Sequence, residues 1–242
     1  MTLHLIRLDP DAARCARWFA AEKLLPRGGE DDGYAWHALL CAAFGKALAP
    51  KPFRVMARRG RPAHVLAYSG ADPAALAAAA RDFADPLALE AVGLTAGAEL
   101  AAKPVPAFSA GRRLGFSLRV RPTVRTDRGG DRGKAAEIDA YVAALRAAPD
   151  TRPDRQAVYR AWLETRLHAG GARILDLRFD GEERAPVLRR DRDRALRKVE
   201  GHSASVTGLL EVSDADGFAA LLARGVGRHR AFGYGMLLLS PP

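Results

Sequence analysis

Gly225-Val226-Gly227-Arg228-His229-Arg230-Ala231-Phe232-Gly233-Tyr234-Gly235, followed by the apolar run Met236-Leu237-Leu238-Leu239, is the most distinctive stretch of this 242-residue sequence. The glycines of this Gly-rich loop, Gly225, Gly227, Gly233 and Gly235, allow positive φ angles and close approach of the backbone to a ligand. Arg228, His229 and Arg230 beside exposed N–H groups suit a phosphate. The apolar run predicts a buried last strand. The stretch is therefore either a phosphate cradle or a Gly-rich connection into that strand.

The charge of the chain is strongly positive and unevenly distributed. The formal net charge is +10. Residues 111–242 carry 25 Lys and Arg against 17 Asp and Glu, whereas residues 1–110 carry 13 and 11. An excess confined to one half predicts a localised surface for an anionic partner, with nucleic acid ahead of membrane.

The periodicity of apolar residues predicts the order β-α-β-β-α-β in the first half of the chain. The predicted strands are Thr2–Leu8, Phe53–Arg59, Ala63–Tyr68 and a strand-like, irregular segment at Leu87–Lys103. The predicted helices are Asp9–Ala21, a helix from Gly33 to Phe44 capped by Asp31 or Asp32, and an Ala-rich helix opened by Asp72-Pro73 that runs to Phe83.

The same order repeats after the linker Pro104-Val105-Pro106. The predicted strands are Arg113–Arg121, Ala172–Phe179, Ser203–Val212 and the last apolar run; the predicted helices are Lys134–Ala147, Pro153–His168 and Ala215–Ala223, and a hairpin protrudes at Glu182–Lys198. A split β-α-β pair is the ferredoxin-like unit. We therefore predict an α+β fold of two tandem ferredoxin-like (βαββαβ, RRM-like) domains, residues 1–108 and 109–242.

Tyr34 and His37 are the candidate chemical groups of the first half. They are three residues apart on a predicted helix, so their side chains emerge on one face. Histidine transfers protons near neutral pH, and a phenol beside it can donate a hydrogen bond to a phosphate oxygen. A structural histidine among apolar neighbours is the alternative interpretation.

Basic residues of the second half concentrate in two segments. Arg125–Lys134 predicts a flexible basic loop, and Arg189–Lys198 packs six cations and two anions into ten residues. In a hairpin, alternate side chains share a face, so these cations can follow a nucleic-acid backbone; a solvated, self-paired charge run is the alternative. The candidate nucleic-acid-binding residues are Arg119, Arg121, Arg128, Arg132, Arg189, Arg190, Arg192, Arg194, Lys198, Arg228, His229 and Arg230.

Several classes of protein lack their signature in this sequence. No Walker motif, His-Glu-x-x-His motif or Cys/His metal cluster is present, so we expect no metal and no cofactor. Cys15 and Cys41 form no CxxC pair, which fits a reducing cytoplasm. The amino terminus lacks a signal-peptide core, and no uncharged run reaches the roughly 18 residues of a membrane span. We expect a cytoplasmic protein without a membrane partner.

Three segments together resemble the CRISPR precursor-RNA processing endonucleases of the CasE type, a subunit of the type I-E Cascade complex. The first is the carboxy-terminal block from Gly208 through the Gly-rich loop to Leu239. The second, Phe116–Thr123, is similar to the family's Phe-x-Leu-Arg-x-Asn-Pro-Thr strand, with Arg121 in place of the usual Asn. The third is Tyr34-x-x-His37 on the family's first helix.

The resemblance implies tandem ferredoxin-like domains and a metal-independent endoribonuclease. Its substrate would be the CRISPR repeat RNA stem-loop, cut at the 3′ base of the stem by the RNA's own 2′-hydroxyl to leave a 2′,3′-cyclic phosphate. His37 would be the general acid/base and Tyr34 its assistant. The protein would stay on the crRNA beside other Cascade subunits.

Two departures from the family pattern leave alternatives open. Some relatives have a lysine about a turn after the histidine, where this chain has Ala42 and Ala43, so Lys46 and Arg228 are both candidates for the cation that stabilises the transition state. A catalytically silent subunit that only holds the repeat hairpin is the alternative function. A generic basic ferredoxin-like scaffold is the third.

Overall fold

The computed structural model of this protein describes residues 2–25, 31–58, 61–94, 99–126, 136–184, 186–190, 196–199 and 201–242. For the strands Val187–Arg190 and Leu196–Val199 the description is of the backbone alone. None of the described helices has the length and apolar character needed to cross a membrane.

The first half of the chain forms a four-stranded antiparallel sheet covered by helices. Its elements are β1 (His4–Leu8), α1 (Ala12–Ala21), α2 (Gly33–Leu48), β2 (Phe53–Arg58), β3 (Arg61–Ser69), α3 (Pro73–Phe83), α4 (Pro86–Ala91) and β4 (Ala102–Pro104). The strand order is β2-β3-β1-β4, and all three pairings are antiparallel.

The second half repeats this arrangement with two additional ribbons. Its elements are β5 (Arg113–Val120), β6 (Thr123–Thr126), β7 (Ala136–Asp139), α5 (Ala140–Ala147), α6 (Arg155–His168), β8 (Ala172–Arg184), β9 (Val187–Arg190), β10 (Leu196–Val199), β11 (His202–Val212), α7 (Ala215–Arg224), a 3-10 turn (Arg230–Phe232) and β12 (Leu238–Ser240). The sheet order is β12-β5-β11-β8, and β6-β7 and β9-β10 form two-stranded ribbons.

Both sheets have the strand order of a ferredoxin-like unit. The first and third strands of each half, β1 with β3 and β5 with β11, are central neighbours, and the fourth and second strands lie at the edges. Apolar residues alternate along β5, where Leu114, Phe116, Leu118 and Val120 are buried and the residues between them are not. This alternation buries one face of the sheet under the helices. The predicted α+β fold of two ferredoxin-like units is confirmed.

Two buried clusters lie on either side of the first sheet. Ile6 and Leu8 belong to a cluster with α1 and α2, whereas Leu3, Leu5 and Tyr68 contact the core of the second half. The Tyr68 hydroxyl donates to the Leu237 carbonyl at 2.9 Å. Because β1 contacts both cores, it has apolar side chains on both faces, which explains its imperfect alternation.

Two predicted elements were wrong. Leu87–Lys103 is not strand-like throughout: it begins inside α4, whose first turn is capped by Asp85 accepting from the Leu87 N–H at 3.0 Å. The helix predicted at Lys134 begins only at Ala140, after β7, where Asp139 is the capping residue. In both cases an aspartate that satisfies free N–H groups sets the helix start.

Candidate functional site

Helix α2 carries Tyr34 and His37, and both side chains meet the ring of Phe232 in the Gly-rich loop. The Tyr34 and His37 ring centroids are 6.4 Å apart. Phe232 lies 6.0 Å from Tyr34 and 5.4 Å from His37, the latter edge to face. One turn further along α2, Cys41 Sγ is 3.8 Å from the His37 ring nitrogens. Two residues from one half of the chain and one from the other thus form an aromatic cluster.

The environment of His37 favours the neutral imidazole. Burial lowers the pKa of His37 below its ordinary 6.5, and the positive charges of Lys51 and then Lys46 lower it further. A neutral imidazole at physiological pH can accept a proton. His37 is half-buried rather than sealed in the core, so it is placed for proton transfer.

Lys51 is a site residue that the sequence reasoning missed. It precedes Pro52, whose carbonyl accepts from the Tyr68 N–H at 3.0 Å and so fixes the entry into β2. No sequence motif links Lys51 to His37. The two residues come together only because the chain turns back from α2 into β2. Of the cations proposed from sequence, Lys46 also acts on the pKa of His37.

A cavity of about 600 Å³ adjoins this cluster; we call it the Lys51 cavity. It is lined by Lys51, Ala223, Arg224, Arg228, His229, Arg230, Ala231 and Phe232. Four of these side chains are Lys or Arg, so the cavity is strongly electropositive and suits a phosphodiester. Phe232 forms part of both this wall and the contact with His37.

The Gly-rich loop is closed on itself and held against α2. All four of its predicted glycines have positive φ, which confirms that conformational prediction. The Val226 N–H donates to the Gly235 carbonyl at 2.8 Å, and the Gly235 N–H donates to the Arg119 carbonyl at 2.7 Å. A Cβ on Gly33, the first residue of α2, would collide with the Phe232 carbonyl. Only glycine permits this close approach of helix and loop.

Glu137 of β7 holds the loop from the other side. Its carboxylate pairs with Arg228 at 3.0 Å and with His229 Nε2 at 2.7 Å. Burial alone would raise the pKa of Glu137, but the hydrogen bond and charge of His229 and the charge of Arg228 lower it to about 2. His229 itself has left-handed backbone geometry, φ 59°. Glu137, which lies outside the Gly-rich loop in the sequence, therefore holds the loop in place through two ion pairs.

This arrangement coincides with a family match over almost the whole chain. The model of the family described as CRISPR associated protein matches residues 3–241. The chain belongs to this family. Over 148 residues it is 33% identical to the CRISPR-associated endoribonuclease Cse3 of Thermus thermophilus, a match that spans 56% of this chain and 59% of that protein.

Solved structures extend the similarity to the fold. A structure of CRISPR endoribonuclease Cse3 bound to 19 nt RNA has 25% identity and a TM-score of 0.63, with both chains covered completely. A structure of Thermus thermophilus Cse3 bound to an RNA representing a pre-cleavage complex has 24% identity and a TM-score of 0.64, again over both complete chains.

Two predicted RNA-binding residues of this CRISPR-associated protein are partly or fully buried, Arg119 partly and Arg121 almost completely. Arg119 pairs with Asp31 at 3.0 Å and with Glu183 at 2.9 Å, and Asp31 also accepts from the Tyr234 hydroxyl at 3.0 Å. Arg121 is only 2% exposed. Both guanidinium groups lie against the ring of Tyr234 in the Gly-rich loop. For Arg121 to contact RNA directly, its side chain would have to become exposed.

The predicted basic hairpin is present as the β9-β10 ribbon. In the antiparallel register of the two strands, the Arg189 backbone lies opposite Arg197 and the Arg190 backbone opposite Leu196. The start of the hairpin lies next to the start of α2: the N–H of Asp31, two residues before the helix, donates to the Pro186 carbonyl at 3.1 Å. Lys198 lies on β10. Four predicted RNA-binding residues lie outside the described residues: Arg128, Arg132, Arg192 and Arg194.

Within the described part of the chain, no three His, Cys, Asp or Glu side chains gather where they could hold a metal ion. The polar groups at the site are the imidazole of His37, the phenol of Tyr34 and the surrounding cations. This set can transfer protons and stabilise negative charge on a phosphate.

Proposed function

We propose that this protein is a metal-independent endoribonuclease that cuts CRISPR repeat stem-loop RNA at the 3′ base of the stem. It remains bound to the resulting crRNA as a cytoplasmic Cascade subunit. The observation that carries the proposal is the contact of Tyr34 and His37 with Phe232 of the Gly-rich loop, a residue that also lines the Lys51 cavity. The endoribonuclease named among its relatives supports the same activity.

The reaction needs no nucleophile from the protein. The ribose 2′-oxygen attacks the adjacent phosphorus, the P–O5′ bond breaks, and the products are a 2′,3′-cyclic phosphate and a 5′-hydroxyl. His37 takes the proton from the 2′-hydroxyl or returns one to the departing 5′-oxygen. Tyr34 donates a hydrogen bond to the reacting 2′-hydroxyl or phosphate and helps to position it.

Lys51 is our candidate for the cation that stabilises the transition state. It lines the cavity beside Phe232 and is the strongest charge acting on His37. A lysine here replaces the positive charge that the family pattern places after the histidine, where this chain has Ala42 and Ala43. A fixed cation near the developing phosphorane charge lowers its energy without rearrangement during the reaction.

RNA binding is assigned to the cations of the second half. Arg228 and Arg230 line the Lys51 cavity, and Arg189, Arg190 and Lys198 lie on the hairpin that begins beside α2. We also propose that the chain divides into domains 1–108 and 109–242. Two buried clusters support this division: one contains residues of the first half alone, and the other, apart from Tyr68, contains residues of the second half.

Cleavage of a stem-loop repeat RNA in EDTA tests the function. The wild-type protein is expected to release a product with a 2′,3′-cyclic phosphate, and a 2′-deoxy nucleotide at the cleavage site is expected to block it. Tight binding without cleavage would instead favour a silent hairpin-binding subunit. Weak binding that ignores RNA shape and falls steeply with salt would favour a generic basic scaffold.

A further inference from the structure

A second basic groove lies beside the Gly-rich loop; we call it the arginine groove. Arg125, Trp162 and Arg166 in its lining have no role in the chemistry proposed above. The groove measures about 440 Å³ and is lined by Thr123, Arg125, Trp162, Arg166, Leu221, Arg224, Gly225, Val226, Gly227, Arg228 and Arg230. Five of these residues are arginines, and no carboxylate is among the described residues that line it. A concave surface with this charge is a site for an anion.

The walls of the groove are held in place before any ligand binds. The Trp162 indole N–H donates to the Thr123 carbonyl at 3.0 Å, which joins α6 to β6. Arg166 lies over the Trp162 ring, 4.8 Å from its centroid, within the range of a cation–π contact. A Cβ on Gly227 would lie 2.7 Å from the edge of the same indole. Preorganisation of this kind lowers the entropy cost of binding.

The arginines of the groove repel one another. Arg230 donates to the Arg224 carbonyl at 2.7 Å. Burial and the charges of Arg224 and Arg228 lower the pKa of Arg230. Glu137 pairs with Arg228 but does not line the groove. A bound phosphate would relieve this repulsion.

The arginine groove and the Lys51 cavity are neighbours. Arg224, Arg228 and Arg230 line both of them and form the ridge between them. An RNA strand whose reacting phosphate lies in the Lys51 cavity can therefore cross this ridge and enter the groove. At about 440 Å³, the groove is in the size range of small-ligand clefts, which fits an unpaired nucleotide and not a duplex.

We propose that the arginine groove binds the phosphodiester backbone of the single-stranded RNA that follows the scissile phosphate on its 3′ side. This inference rests on the proposed function, because cleavage at the 3′ base of the stem leaves paired RNA on the 5′ side and unpaired RNA on the 3′ side. The groove then holds the segment that departs after cleavage. The arginine groove therefore increases the affinity of the protein for uncut RNA and does not change its affinity for the retained stem-loop product.

Binding measurements with two uncleavable RNAs test the inference. Both carry a 2′-deoxy nucleotide at the cleavage site; one ends directly after the scissile phosphate and the other continues as a short single strand. Wild-type protein is expected to bind the extended RNA about tenfold more tightly, since two arginine–phosphate contacts are gained. Arg125→Gln/Arg166→Gln changes two arginines that line the groove and not the Lys51 cavity. It is expected to lose this gain, and its salt slope on the extended RNA is expected to fall by about 1.4, or about 0.7 per phosphate.

Arg81→Gln/Arg146→Gln is the matched control. It removes the same charge from two exposed helix positions away from the groove and should keep the full gain. Arg125→Gln alone avoids the Trp162 contact and should lose part of the gain even if the double variant is unstable. The inference is overturned if the extension adds no affinity, or if the groove variants weaken both RNAs equally. Since neither RNA can be cut, a failure of the proposed chemistry would leave this result unaffected.

Discussion

The imidazole of His37 and the ring of Phe232 meet edge to face, with centroids 5.4 Å apart and planes at 88°. His37 belongs to helix α2 of the first half, and Phe232 to the Gly-rich loop of the second half. The loop therefore contributes to the burial of the imidazole. Burial is also the main cause of the lowered pKa of His37, so the loop influences the proton chemistry of a residue it does not contain.

Replacing His37 with alanine should abolish most cleavage while RNA binding is kept. Loss of a general acid/base typically lowers the rate by about 10²–10⁴-fold, which is the range expected for His37→Ala in single-turnover cleavage of the stem-loop. Cys41→Ala is the control, because Cys41 contacts the same imidazole one helical turn away. It should change the rate by much less, and equal losses in the two variants would contradict the assigned role.

Removing the Lys51 charge should raise the pKa of His37 and slow cleavage. Lys51 is one of the causes that hold this pKa below 6.5, so Lys51→Met should move it upward in an NMR titration of the imidazole. The neutral base then appears only at higher pH, and the acidic limb of kcat/KM should shift the same way. Lys46→Met, which removes the smaller charge contribution, should produce a smaller shift and little loss of rate.

The sequence predicted the regular elements well and the convergence of distant residues poorly. Alternation along β5 and the capping aspartate Asp72 identified their elements, because these signals are local. Asp85-Pro86 repeats the Asp72-Pro73 capping signal, so the start of α4 could have been predicted in the same way. The roles of Lys51 and Glu137 could not have been predicted from sequence, because each residue meets its partners only in the folded chain.

A side chain at Gly33 should separate α2 from the Gly-rich loop. The Cβ of Gly33→Ala would collide with the Phe232 carbonyl, and overpacking of this kind costs about 1–3 kcal/mol. Thermal or urea unfolding should show this loss, together with slower cleavage because Phe232 moves relative to His37. Gly181→Ala is the control, since no described atom lies within 4 Å of the added Cβ, and its stability should change little.

Arg119 should contribute to stability through Asp31. The Asp31 side chain is only 3% exposed and pairs with Arg119, whose side chain is 26% exposed. Arg119→Met leaves a buried carboxylate without its cation, a change that costs about 3–5 kcal/mol when a pair is fully buried. We expect about 3 kcal/mol here, also by, because Arg119 is partly exposed.

Arg113→Met is the comparison for this prediction. Arg113 is 64% exposed and pairs with Glu211, and exposed pairs contribute about 0–1 kcal/mol. RNA affinity of both variants should be measured under conditions where each is fully folded. A specific loss in Arg119→Met would support the RNA contact predicted for Arg119, whereas equal affinities would assign it to stability alone. Equal stability of the two variants would contradict the role of the Asp31 pair.

Glu137 should stabilise the protein in a pH-dependent way. Its pKa is lowered from 4.5 to about 2 in the folded protein, so its ionised form is favoured by folding. The stabilisation is complete above pH 4.5 and is lost progressively as the pH falls towards 2. At pH 6, Glu137→Gln should be less stable than wild type by about 1–3 kcal/mol in urea unfolding, because His229 and Arg228 lose a charged partner.

The Glu137→Gln variant also tests whether Glu137 holds the Gly-rich loop in place, in addition to stabilising the fold. The difference between wild type and Glu137→Gln should shrink as the pH is lowered from 5 towards 2, and a constant difference would contradict the assignment. Release of Arg228 and His229 should also let Phe232 move away from His37. The pKa of His37 should then rise towards its ordinary value, because burial is the first cause of its depression. An unchanged pKa would show that the loop keeps its position without Glu137.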